Sequence, residues 1–167
     1  MAVSRIYLIG FMGAGKTIVG RRLAKKLGWK FIDLDEEIER REHRAIADIF
    51  RDHGESHFRR LERRCLESAS FSQNSVIALG GGAFLAPENR EIAENTGLTV
   101  WLKASFAKVT GRVKIDGTRP NFSSKDQAEA LYRTREPYYA MAKVHVSTED
   151  ETPEAIVDEI IGVLRKI

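Results

Sequence analysis

The stretch GFMGAGKT, residues 10 to 17, fits the spacing G-x-x-x-x-G-K-[ST]. It stands between an apolar run, RIYLIG at 5 to 10, and a helical pattern, KTIVGRRLAKKLG at 16 to 28. Glycines at such a strand-to-helix junction let backbone N–H groups converge on phosphate oxygens, and the helix N-terminus adds positive potential. Lys16 is spaced to reach the β- and γ-phosphates, and the Thr17 hydroxyl to ligate Mg²⁺. The stretch implies a nucleoside triphosphate site and makes strand-then-helix the first unit of the fold.

The same alternation continues outward. Further runs of β character are KFIDL at 30 to 34, SVIALG at 75 to 80, LTVWL at 98 to 102 and KVHVS at 143 to 147. Helical patterns fall between them at 35 to 50, 56 to 69 and 87 to 95, and a last one begins at Pro153. Strands alternating with helices predict an α/β fold: a parallel sheet covered on both faces, with ligands at the carboxyl ends of the strands. The polar, turn-rich segment KIDGTRPNFSSKD, 114 to 126, breaks the pattern and is long enough for a lid.

With 167 residues, 43% of them hydrophobic, the chain suits one domain with one core. A single cysteine, Cys65, excludes an intramolecular disulfide. No targeting segment or membrane-length apolar run is read, so a cytoplasmic location is expected. The net charge of +3 is mild and spread along the chain, which decides nothing about partners.

Three further groups of residues carry chemistry. In FIDLDEEIE, Asp33 and Asp35 stand two apart where a strand gives way to a helix, and i, i+2 spacing on a strand puts both carboxylates on one face. One could hold Mg²⁺ through water while the other accepts a hydrogen bond from an acceptor hydroxyl; alternatively Asp35 caps the following helix. In FRDHGESHFRRLERRCLES, Gly54 marks a break, and Glu62 lies one helical turn from Arg59, placed to orient its guanidinium. The arginines also suit a solvated face or nucleic-acid phosphates, but no aromatic platform accompanies them. His53 and His57 lack the H-E-x-x-H order of a zinc helix. Finally, ALGGGAFL at 78 to 85 spends three consecutive glycines after a strand, either for a tight turn or for close approach of a ligand to backbone.

Taken together, these residues resemble the shikimate kinase family. The matching motifs are GFMGAGKT, DLD at 33 to 35, F-x3-GE-x2-FR-x2-E from Phe50 to Glu62, LGGG at 79 to 82, RP at 119 to 120 and R-x-P-x-Y from Arg135 to Tyr139. They run in family order across nearly the whole chain. The resemblance implies a nucleoside monophosphate kinase type of fold with a five-stranded parallel sheet in order 2-3-1-4-5. It also implies a single domain spanning 1–167, an acceptor region at about 34–62 and a mobile lid at about 113–126. The implied activity is Mg²⁺-dependent transfer of the ATP γ-phosphate to the 3-hydroxyl of shikimate by a cytoplasmic monomer, with neither nucleic acid nor membrane as partner.

By position, the resemblance gives Gly13, Ala14, Gly15, Lys16, Thr17 and Ile18 to the nucleotide, with Arg112 against adenine. Asp35, Arg59, Gly81 and Arg135 would contact shikimate, with Gly80 and Gly82 shaping the same wall. Thr17 would ligate Mg²⁺, Asp33 would stand behind a water, and Arg119 would come from the lid to the transferring phosphate. Lys16, Asp35 and Arg119 are the expected catalytic residues. Ile18 stands where the family commonly has a second hydroxyl, and Asn121 and Phe122 follow RP where it usually has two leucines. A gluconate kinase-like enzyme on the same scaffold and a nucleotide-binding module without catalysis are the competing readings.

Overall fold

The computed structural model describes residues 2–112 and 124–167, apart from the side chain of Arg112. Five strands form one sheet in the order β2-β3-β1-β4-β5, every neighbouring pair parallel. They are β1 (Arg5–Ile9), β2 (Lys30–Asp33), β3 (Ser75–Ala78), β4 (Leu98–Lys103) and β5 (Val144–Ser147). This is the expected strand order.

The helices are α1 (Lys16–Leu27), α2 (Leu34–Glu42), α3 (Ile46–Ala69), α4 (Pro87–Thr96), α5 (Phe106–Arg112), α6 (Lys125–Tyr139) and α7 (Pro153–Leu164). A short 3₁₀ turn, Ala83–Leu85, follows β3. Helices α1 and α7 pack together on one face of the sheet, and α3 and α4 on the other. The central strands are correspondingly apolar throughout: Ile6, Tyr7 and Leu8 of β1, Val76 and Ile77 of β3, and Val100 and Leu102 of β4 have no exposed surface. Continuous burial is what a parallel sheet covered on both sides requires. The edge strands β2 and β5 are only partly buried.

Three differences from the sequence reading have local causes. The pattern at 35 to 50 is not one helix, because His43 ends α2 in a left-handed conformation (φ 53°) before α3 begins. The break at Gly54 is a kink inside α3: its backbone leaves helical geometry (φ 82°, ψ 172°) and the helix resumes. Helices α5 and α6 occupy stretches where periodicity marked none. The first has seven residues, and the second carries Pro137 inside it and buries little besides Ala128, Arg135 and Tyr139. Ser124 caps α6 through the N–H of Gln127, and Lys125 and Asp126 are its first turn. Residues 113 to 123 lie outside the described residues.

The first three strands end together at one edge of the sheet. The loop after β1, the start of α2 after β2 and the glycines after β3 therefore converge, because β3 lies between β1 and β2.

Candidate active site

Gly13 (φ 79°) and Gly15 (φ 96°) hold the phosphate loop in left-handed conformations that a side chain would strain. Gly15 caps α1 directly, and the Val19 N–H bonds its carbonyl at 2.9 Å. The Lys16 ammonium donates to the carbonyls of Gly10 (2.5 Å) and Phe11 (3.1 Å), which holds the charge over the loop. A cavity of about 370 Å³ opens here, lined by Gly13, Gly15, Lys16, Thr17 and Ile18 together with Asp33, Asp35 and Gly81. Ala14 is buried beneath the loop. Ile18 is 55% exposed at the cavity rim and offers no polar atom.

The two aspartates divide their tasks differently from the expectation. Asp33 is the last residue of β2 and Asp35 already lies in α2, so the strand i, i+2 rule does not govern them. Asp33, not Asp35, caps the helix: its Oδ1 accepts the N–H groups of Asp35 (3.0 Å) and Glu36 (3.2 Å). Its other oxygen, Oδ2, accepts the Thr17 hydroxyl at 3.0 Å. A hydroxyl and a carboxylate held together beside a phosphate loop are the hard oxygen donors Mg²⁺ takes, in a setting where it keeps several waters. The residues present thus fit the metal.

A second cavity of about 390 Å³ adjoins the first and shares Met12, Thr17, Asp33, Asp35 and Gly81 with it. Its other walls bring Arg59 and Glu62 of α3, Arg135 of α6 and Gly80 and Gly82 to one place, with the rings of Phe50 and Phe58 4.7 Å apart and tilted by 41° beside them. Arg59 donates to Glu62 at 2.8 Å and reaches Glu55 at 3.4 Å. Glu62 has no exposed surface, and among the described residues its Oε2 has no hydrogen-bond partner. Burial pushes its carboxyl above the usual range; the Arg59 and Arg135 charges pull the other way, and Asp35 adds to the rise.

None of Gly80, Gly81 and Gly82 has a positive φ, so the triplet is not there for a backbone conformation. Space decides instead, and each glycine makes room for a different charged group. A Cβ on Gly80 would sit 2.8 Å from Asp35 Oδ1 and 3.0 Å from Glu62 Oε2; on Gly81, 2.8 Å from Arg135 Nη1; on Gly82, 2.7 Å from Arg59 Nη1 and closer still to Nη2. The triplet lets two carboxyl side chains and two guanidinium groups lie against one wall.

The Gly82→Ala variant should therefore fold, because the clash is with the end of a long side chain, and the displaced group is the Arg59 guanidinium. A lost charged hydrogen bond costs about 1.5–3 kcal/mol, so the KM of a substrate bound against this wall should rise about ten- to hundredfold, with that of one bound at the phosphate loop unchanged. Equal rises in both constants would return the triplet to the role of a plain turn.

Of the remaining expected residues, Arg119 lies outside the described residues, as does the side chain of Arg112. Met12, which lines both cavities, was not anticipated. It fills one of the variable positions of the phosphate-loop spacing, where the motif itself gives no signal.

The comparisons with known proteins agree with this geometry. The family model described as shikimate kinase matches residues 12–165. A shikimate kinase of Persephonella marina is 43% identical over 96% of this chain and 98% of its own. The structure of a shikimate kinase from Acinetobacter baumannii in complex with shikimate superposes with a TM-score of 0.93 at 33% identity, covering 98% of this chain and 94% of that one. A gluconokinase from Sinorhizobium meliloti covers 98% of this chain and 92% of its own, but with a TM-score of 0.62 and 23% identity, a likeness of fold alone. A phosphate loop joined to an acceptor cavity, with a match of this length and depth, places the chain in the shikimate kinase family.

Proposed function

We propose that this chain carries out its family's reaction, transfer of the ATP γ-phosphate to the 3-hydroxyl of shikimate, with the two adjoining cavities as donor and acceptor sites. The observation that carries the acceptor assignment is Arg135. It is 4% exposed, yet among the described residues no carboxylate forms an ion pair with it and its Nε has no hydrogen-bond partner. A buried guanidinium is costly unless an anion meets it. The shikimate carboxylate is such an anion, and Arg59 on the opposite side of the glycine wall supplies the second fork.

In this reading Asp35 orients the 3-hydroxyl and takes its proton late, since phosphoryl transfer passes through a loose transition state that needs positioning and charge neutralisation more than a strong base. Lys16 holds positive charge over the loop where the β- and γ-phosphates lie. Thr17 and Asp33 would hold Mg²⁺, which when bound supplies charge neutralisation to the transferring phosphoryl. Arg119 would add charge from the lid. Glu62 fixes the Arg59 fork, and the apolar rings of Phe50 and Phe58 help exclude water, a competing acceptor. The working unit is taken to be one domain in one cytoplasmic chain, with the acceptor contacts concentrated in 34–62 and completed by the glycines and Arg135.

The test is ADP release with shikimate, gluconate and nucleoside monophosphates as competing acceptors. Shikimate alone should drive turnover, and no shikimate-dependent ADP from folded protein would overturn the reading.

A further inference from the structure

The carbonyls of the glycine triplet are all accounted for, by two different means. Gly80 O accepts the Ala83 N–H at 3.1 Å and Gly82 O the Leu85 N–H at 3.3 Å, both within the local turn. Gly81 O is instead taken from across the molecule by the Tyr139 hydroxyl, at 2.5 Å. Tyr139 closes helix α6, is 2% exposed and packs its ring near Trp101 of β4, with centroids 6.2 Å apart. The Arg135 guanidinium, one helical turn earlier, faces the same glycine: a Cβ on Gly81 would meet Arg135 Nη1 at 2.8 Å and the Tyr139 hydroxyl at 3.7 Å. The phenol's pKa is pushed up to about 12, burial outweighing the pull of Arg135, so the hydroxyl stays a donor at any working pH.

A trans peptide is planar, with its C=O and N–H pointing in opposite directions. Fixing the carbonyl of Gly81 therefore fixes the direction of the Gly82 N–H, which belongs to the same peptide unit. In the same way the bond from Ala83 to Gly80 O fixes the Gly81 N–H. Among the described residues neither of these two amides donates to a backbone carbonyl. The wall thus presents amides whose aim is set from behind, one by the turn and one by a single side chain on α6.

We propose that Tyr139 is a positioning residue for the acceptor site: its hydroxyl fixes the Gly81–Gly82 peptide beside Arg135, so that a backbone donor and the buried guanidinium meet shikimate in a set arrangement. This rests on the assignment of Gly81 and Arg135 to the acceptor side. Without the hydroxyl the ring still fills the core, but the peptide is free to rotate and the Gly81 carbonyl loses its partner. The consequence falls on shikimate rather than ATP, because the Gly82 amide that the bond aims and Arg135 border the acceptor cavity alone, although Gly81 borders both.

The test compares Tyr139→Phe, Arg135→Ala and Trp101→Phe by the KM for each substrate, kcat and melting temperature. Trp101 touches the same core without touching the glycine wall, so it reports what loss of packing alone does. Tyr139→Phe should raise the KM for shikimate about five- to tenfold, the worth of one well-placed hydrogen bond, with the KM for ATP unchanged. Trp101→Phe should lower the melting temperature and leave both constants alone. If Arg135→Ala impairs shikimate use while Tyr139→Phe keeps its shikimate KM within twofold of the parent, the positioning role is overturned and the acceptor assignment stands. If Arg135→Ala leaves the shikimate KM unchanged, the acceptor assignment falls and the proposal with it. Equal kinetic losses in Tyr139→Phe and Trp101→Phe at equal melting temperature would reduce the tyrosine to a packing residue.

Discussion

Replacing Asp35 with asparagine is expected to lower kcat by about 10²–10⁴ while leaving the fold intact. The two halves of that statement come from different residues. Had Asp35 been the cap of α2, losing its charge would also weaken the helix and blur the kinetic result. The cap is Asp33, whose Oδ1 holds both N-terminal amides, and Asp35 enters that arrangement only through its backbone N–H. The Asp35 carboxylate lines both cavities and lies near Gly80, the position from which an acceptor hydroxyl can be aimed at the phosphate loop. Asparagine keeps the size and one acceptor oxygen but cannot take a proton. The measurement is kcat at saturating shikimate and ATP, beside a melting curve. A near-normal kcat would reduce Asp35 to a binding residue, and a large fall in melting temperature would show that it supports the fold after all.

Legibility in the sequence followed the range of the interaction. The phosphate loop is a local object: its glycines, its lysine and the following helix are contiguous, so spacing alone located it. The alternation of strands and helices was equally readable, because burial on both faces writes apolar runs such as IYLI and SVIA directly into the chain. The strand order and the two arginines came from resemblance to a family, since nothing in a run of apolar residues states which strand it will lie beside. What neither route supplied was contact between distant segments. The glycine triplet read as a surface for a ligand, whereas the close approach it permits is by the protein's own Asp35, Arg135 and Arg59, from three other elements. Which aspartate caps α2 turned on one residue of strand length, and Asp33 and Asp35 are alike until that boundary is known. Helix α6 escaped notice because its buried side includes an arginine and a tyrosine that serve the site, so its apolar stripe is thin.

The largest effect on acceptor affinity should come from Arg135 rather than Arg59, although the two appear equivalent as carboxylate forks. Arg59 already has partners: Glu62 at 2.8 Å and Glu55 at 3.4 Å, with 30% of its side chain exposed. Much of its charge is spoken for before any substrate arrives. Arg135 is almost fully buried, lies with Phe11 under its guanidinium at 5.9 Å, and among the described residues has no carboxylate in ion-pair reach. Removing one partner of a buried charge pair typically costs 2–5 kcal/mol or more, so Arg135→Ala should raise the Kd for shikimate by roughly 30- to several-thousand-fold. The same argument run on the free protein gives the opposite sign. A buried cation with no ion-pair partner among the described residues burdens the fold, so its removal should leave the melting temperature unchanged or raise it. A ligand at a hundred times its Kd stabilises the native state by about 2.7 kcal/mol, and that increment should vanish in the variant at the same shikimate concentration. Arg135→Lys separates charge from shape: an ammonium keeps the charge but loses the planar fork, so it should recover part of the affinity and not all of it. Melting curves of parent, Arg135→Ala and Arg135→Lys with and without shikimate read all three effects at once. A variant that still gains the parent's full increment with shikimate would remove Arg135 from the acceptor site.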